Sequence, residues 1–203
     1  MSEEQFVYVV DDDDAVRDAL GMLLESVDIP HQTYNNGLEF LETYDSSLRG
    51  CAVVDIRMPG MNGLELQKQL NLKHSTLPII FITGHGDIPM AVEAIRNGAI
   101  DFMRKPIREQ DLLDRIQEAL SIEENQHEHQ MRRVKQQEAL SSLTKREREV
   151  FDLVAEGKAN KVVAQDLGIS ERTVEVHRSQ AMRKLGARSL AELVKIKLEA
   201  QAS

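Results

Sequence analysis

A single cysteine, Cys51, stands among the 203 residues of the chain. One thiol can neither close an intrachain disulfide nor furnish a Cys-based zinc site, so the fold must rest on buried apolar surface. Long apolar runs are also missing. None approaches the roughly 18 residues that a membrane span requires, and no charged-then-apolar leader opens the chain. A cytoplasmic protein with no membrane partner is therefore expected. Basic residues are scarce in one part only. The formal net charge is −9, with 21 acidic and 10 basic side chains in residues 1–121 but 13 and 15 in residues 122–203. The acidic front argues against a nucleic-acid footprint there, and the mildly basic remainder permits one. Such asymmetry suggests two modules with different partners, which the length allows.

Three runs rich in β-branched residues, FVYVV (6–10), CAVVD (51–55) and PIIFIT (78–83), read as strands buried on both faces. Weaker strand candidates lie near 31–34 and 99–103. Helical patterns fall between and after them, near 14–26, 37–45, 62–71, 88–97 and from about 109 onward. Five βα units in succession specify an α/β domain with a doubly wound parallel sheet, whose sites lie at the carboxyl ends of the strands. Residues 122–140 hold no Gly or Pro and are rich in Glu, Gln, Lys and Arg, which predicts a solvated helix continuing the last helix of the first domain.

Beyond residue 140 only helices are predicted, making the second domain all-α. Thr144 and Glu147 form a capping box ahead of Val150, Leu153 and Val154, and Gly157 closes that helix. A short helix over 161–167 ends at Gly168. Ser170 caps a third that runs to Leu185 and stops at Gly186, and 189–200 make a fourth. The short pair, joined through Leu167-Gly168-Ile169-Ser170, has helix-turn-helix spacing, with small Ala164 where the helices would cross. The expected organisation is a domain over 1–121, a helical linker over 122–140 and a helix-turn-helix domain over 141–203.

The first strand runs into Asp11, Asp12, Asp13 and Asp14, and the third ends on Asp55. Adjacent strand ends would crowd three or more carboxylates into one crevice, which is unfavourable without a cation. Oxygen ligands with room for water suit Mg²⁺. Thr83 ends the next strand and Lys105 follows the last. A carboxylate nucleophile, Mg²⁺, a hydroxyl and an ammonium are the parts that bind a transferring phosphoryl group. One of Asp13 and Asp14 is expected to be no more than a helix cap.

VVDD (9–12), DIRMPGMNG (55–63), FITGHGD (81–87) and DFMRKP (101–106) resemble the receiver domain of two-component response regulators. LTKREREV (143–150) and KVVAQDLGISERTVEVHRSQAMRKLGARS (161–189) resemble the effector domain shared by the LuxR, NarL and FixJ regulators, and FixJ-type regulators fit best. The resemblance implies that Asp55 accepts the phosphoryl group. Asp12, Asp55 and the carbonyl of Arg57 would ligate Mg²⁺, with Asp11 acting through water. Thr83 and Lys105 would hold phosphoryl oxygens, with Lys105 presented by a cis bond before Pro106. Phe102 would turn inward when Thr83 moves, and Arg57 and His85 would tune how long the phosphoryl group survives. The implied partners are a sensor histidine kinase, promoter DNA, RNA polymerase and, once phosphorylated, a second copy docked through the surface around 88–104. Slow autodephosphorylation would be the only catalysis, with no metabolic reaction.

At 100° per residue, Val174, His177, Ala181 and Leu185 of the third effector helix share a core face, and Arg172, Val176, Ser179 and Arg183 oppose them with Glu175 at the flank. The resemblance places Glu175, Val176 and Ser179 in the DNA groove, and the wheel agrees. Glu can accept from cytosine N4 and Val can touch a thymine methyl. Arg178, Lys161, Thr173 and Lys184 are phosphate candidates, and His177 and Arg183 are counted with the DNA-binding set. Two other readings compete. A haloacid-dehalogenase-type phosphatase also uses Asp, Thr and Lys at strand ends, and Asp11 and Asp13 match its D-x-D spacing. It offers no role for DIRMPGMNG. An adaptor whose tail binds protein would share every receiver residue.

Overall fold

The computed structural model describes residues 4–84 and 88–201. They form two compact units, 1–127 and 128–203. In the first unit five strands alternate with five helices: β1 (Phe6–Val10), α1 (Asp14–Glu25), β2 (His31–Tyr34), α2 (Gly37–Thr43), β3 (Gly50–Asp55), α3 (Gly63–Leu72), β4 (Ile79–Thr83), α4 (Ile88–Arg96), β5 (Asp101–Arg104) and α5 (Glu109–Ser141). All pairings are parallel, in the order β2-β1-β3-β4-β5.

The pleat sorts the strand residues between two cores. Val7, Val9, Cys51, Val53, Ile80 and Ile82 pack on one face against Leu24 of α1 and Leu112 and Ile116 of α5. Tyr8, Val10, Ala52, Val54 and Phe81 pack on the other against Phe40, Leu66, Leu70 and Ala94, from α2, α3 and α4. Strands sandwiched in this way need apolar residues at every position, hence the continuous runs. Cys51 is fully buried, and its desolvation, with the charge of Glu123 adding, pushes the thiol up to about 12. It is a core residue and unreactive.

Two details depart from the sequence pattern. β5 begins at Asp101, not 99, because the Ala99 amide is spent on the Ala94 carbonyl, closing the turn that ends α4. The predicted linker helix is present as the far part of α5, yet Glu123 within it is buried.

The second unit holds the end of α5 and four helices: α6 (Lys145–Ala155), α7 (Asn160–Leu167), α8 (Glu171–Leu185) and α9 (Leu190–Gln201). Thr144 and Glu147 make the capping box, and Ser170 caps α8 through the Thr173 amide. Gly168 ends α7 in the left-handed region at φ 66°, where a side chain would be strained, and so sets the sharp turn into α8. Leu140, Val150, Phe151, Val163, Val174, Ala181 and Leu193 form this unit's core.

Candidate functional site

Register alone brings the acidic residues of the first unit together. β1 and β3 are adjacent, with Val10 opposite Val54, so Asp11 and Asp55 leave the sheet side by side. Both are buried. Thr83, fully buried, pairs with Arg104 across β4 and β5, and the next residue is Lys105. The Lys105–Pro106 bond is cis. Lys105 Nζ donates to Asp11 Oδ2 at 2.6 Å and to Asp55 Oδ1 at 3.0 Å. The remaining oxygens accept backbone bonds, Asp11 Oδ1 from the Asp13 amide at 3.0 Å and Asp55 Oδ2 from the Arg57 amide at 2.6 Å. Burial opposes the charge on Lys105, but its hydrogen bonds to the two carboxylates and their negative charges outweigh that and hold its pKa above the ordinary lysine value.

The expected crowding of three or more carboxylates needs correction. Asp12 is exposed and lines a recess with Ile56, Arg57, Met58, Pro59, Asn62, Leu64 and Met90. Among the described residues no three His, Cys, Asp or Glu side chains are grouped to hold a metal. Asp11 and Asp55 are compensated by Lys105, which lies 94 and 50 residues away in sequence. The donor chemistry nevertheless fits a hard divalent cation. Asp11, Asp12, Asp55 and the Arg57 carbonyl offer only oxygen, and the Asp12 side opens to water.

The loop after β3 has its own constraints. Asn62 caps α3 by accepting from the Glu65 amide. A Cβ at Gly63 would stand 2.5 Å from the Asp55 carbonyl oxygen and 3.0 Å from the Phe81 ring, so only glycine lets α3 start against the end of β3. Asp13 caps α1, as one of Asp13 and Asp14 was expected to do. Arg17, which sequence reasoning missed, donates to the Asp11 carbonyl at 2.6 Å and pairs with Asp14. The Asp14–Arg17 spacing of three was a readable signal for the pair, though not for the carbonyl contact. Phe102 is half-buried against the core on the α2–α4 side, and Arg57 is exposed. His85 lies outside the described residues.

In the second unit the wheel for α8 holds. Val174 and Ala181 are buried and His177 and Leu185 half-buried, while Arg172, Glu175, Val176, Ser179 and Arg183 are exposed. Glu175, Val176, Ser179, Gln180 and Arg183 line one shallow recess, to which Gln180 is an addition that the sequence did not suggest. The phosphate candidates differ in their commitments. Lys161 is exposed. The Thr173 hydroxyl bonds to that of Ser170. Arg178 Nη1 donates to Asn160 Oδ1 at 3.0 Å. Lys184 donates to Glu147 at 2.6 Å and to the Ser142 carbonyl at 3.0 Å, so its ammonium already ties α8 to the start of α6.

Residues 7–117 match the family model for the response regulator receiver domain, and residues 141–196 that for bacterial regulatory proteins of the luxR family. The chain is 44% identical over 190 residues to the response regulator protein TodT of Pseudomonas putida, covering 94% of this chain and 84% of that protein. It is 42% identical to the transcriptional regulatory protein FixJ of Azorhizobium caulinodans, covering 98% and 94%. Among solved structures it resembles the response regulator StyR, with 44% identity, a TM-score of 0.91 and coverage of 97% of this chain and 100% of that one.

Proposed function

Since the chain belongs to the response regulators that join a receiver domain to a LuxR-family regulatory domain, we propose that it is switched by phosphorylation of Asp55 and then binds promoter DNA as a dimer. Its class is that of two-component transcription regulators, not metabolic enzymes. The observation that carries the proposal is the bridge from Lys105 to Asp11 and Asp55 at neighbouring strand ends.

An Asp55 carboxylate oxygen attacks the phosphorus of a kinase phosphohistidine. The new O–P bond forms as the P–N bond breaks, and its electron pair returns to the imidazole. Lys105 releases Asp55 to pair with a phosphoryl oxygen, and the Thr83 hydroxyl donates to another. Asp11, Asp12, Asp55 and the Arg57 carbonyl would hold Mg²⁺, whose charge offsets that of the phosphoryl oxygens. Movement of Thr83 lets Phe102 turn, and Arg57 and His85 set how readily water reaches the acyl phosphate. Autodephosphorylation is the only turnover of the site.

The chemistry of the second unit suits promoter DNA, with RNA polymerase the further partner. Glu175, Val176 and Ser179 reach base edges, His177 supports them from the inner face, and Lys161, Thr173, Arg178 and Arg183 contact phosphates. Lys184 serves chiefly as the clamp on Glu147. Treatment with a small phosphodonor and Mg²⁺ should add one phosphoryl mass and raise duplex affinity, and Asp55→Asn should abolish both effects. Phosphorylation of Asp11 would favour the phosphatase reading, and the absence of salt-dependent duplex binding by the second unit would favour the protein-binding adaptor.

A further inference from the structure

Arg178 and Asn160 stand 18 residues apart, on the two helices of the helix-turn-helix, and their side chains meet at 3.0 Å. Both residues are half-buried. Other cations of this unit are held by carboxylates: Lys158 by Asp166, Lys184 by Glu147 and Lys197 by Glu156. A carboxylate cancels the charge that it holds. An amide oxygen restrains a guanidinium without cancelling anything, and one such bond leaves the rest of the fork of donors available.

We propose that Asn160 is a positioning residue for duplex binding that acts through Arg178, fixing a long cationic side chain at one place on α8 while leaving its charge to meet a DNA phosphate. The inference rests on the reading that Arg178 contacts phosphate. An arginine free to roam loses rotamer entropy when it binds, and one already restrained loses less, so the gain appears as affinity. Residue 160 is suited to the task by its place. It opens α7, and its side chain spans the gap to the middle of α8.

The test uses the full-length chain, a random-sequence duplex and a salt titration. Arg178→Ala should weaken binding and reduce the magnitude of the log-affinity against log-salt slope by about 1. Asn160→Ala should weaken binding by about three- to tenfold with little change of slope, because the charge is still present. The double variant should bind no more weakly than Arg178→Ala alone, since both changes remove one contact. Asn160→Asp keeps the acceptor but adds a cancelling charge, so its slope should fall by about 1 as in Arg178→Ala. That variant also decides the matter if Asn160→Ala fails to fold. Additive losses, or unchanged affinity in Asn160→Ala, would overturn the role of Asn160 while leaving Arg178 on the phosphate. An Arg178→Ala chain with wild-type affinity and slope would overturn the placement of Arg178 itself, and the inference with it.

Discussion

Arg49 and Glu123 are joined inside the receiver unit by a two-point ion pair, Nε to Oε1 at 2.9 Å and Nη2 to Oε2 at 3.0 Å, with both side chains less than a tenth exposed. Gln5 adds a bond to Glu123 Oε2 at 2.5 Å and another to the Leu120 carbonyl at 2.9 Å. Arg49 directly precedes β3, so the pair lies at the opposite end of that strand from Asp55. It fixes α5 to the sheet where the helix passes beyond the apolar residues Leu112, Ile116 and Ala119.

Removing one partner leaves the other charge buried and uncompensated. Glu123→Ala should therefore destabilise the receiver unit by about 3–5 kcal/mol, whereas the paired change Arg49→Met with Glu123→Leu should be close to neutral. Urea unfolding of the full chain, followed through the receiver transition, distinguishes the two. Equal losses in the single and paired variants would mean that the ions contribute nothing beyond their packing volume.

The second unit should carry an acid-sensitive clamp. The hydrogen bond from Lys184, then the backbone bond from Thr144, lower the pKa of Glu147 below the ordinary glutamate value. A group depressed in the folded state contributes stability above its unfolded pKa of about 4.3, and that contribution is lost as pH falls through the lower folded value. The helical unit should thus lose stability below about pH 4.3, and Glu147→Gln should flatten that limb while lowering stability at neutral pH. A wild-type acid limb in Glu147→Gln would show that other carboxylates govern it.

Local patterns were legible in the sequence, and pairings between distant residues were not. Continuous apolar runs gave the buried strands, and capping residues such as Thr144 and Ser170 placed helix starts correctly. Asp55, Thr83 and Lys105 were visible because each follows or ends a strand. What periodicity cannot carry is the reach of a long side chain. The neutralising bridge of Lys105 to Asp11 was hidden for that reason, as were the Arg49–Glu123 pair, 74 residues apart, and the Lys184–Glu147 clamp, 37 apart. Glu123 sits in a stretch rich in Glu and Gln with only scattered apolar positions such as Ile122, so local pattern does not betray its burial.

On α4, Ile88, Val92 and Ile95 follow one another at helical spacing and are 80%, 43% and 47% exposed. An apolar stripe of this kind, within the segment 88–104 that the proposed dimer would use, would supply the contact that a two-fold DNA complex requires. The phosphorylated chain should sediment at twice the unphosphorylated mass at micromolar concentration, and Val92→Arg should hold it as a monomer without altering phosphoryl incorporation. An unchanged mass after full phosphorylation would count against the assignment.

Variants on the exposed face of α8 should separate affinity from specificity. Glu175 and Val176 share a recess with Ser179, Gln180 and Arg183, and both are exposed. A negative charge on a face that meets DNA opposes binding to any sequence, and accepting from a base would offset that cost at the preferred site. Glu175→Ala should then raise affinity for random DNA while lowering it for the preferred site, with a loss of discrimination of about 1–3 kcal/mol at one base pair. Val176→Ala should act differently, weakening preference at a thymine with no change in salt slope, because no charge is altered. Selection of bound sequences from a random pool, carried out with wild type and each variant at one salt concentration, reads both effects. If all three chains recover the same motif, α8 does not present Glu175 and Val176 to the bases, and the carboxylate must instead limit non-specific binding.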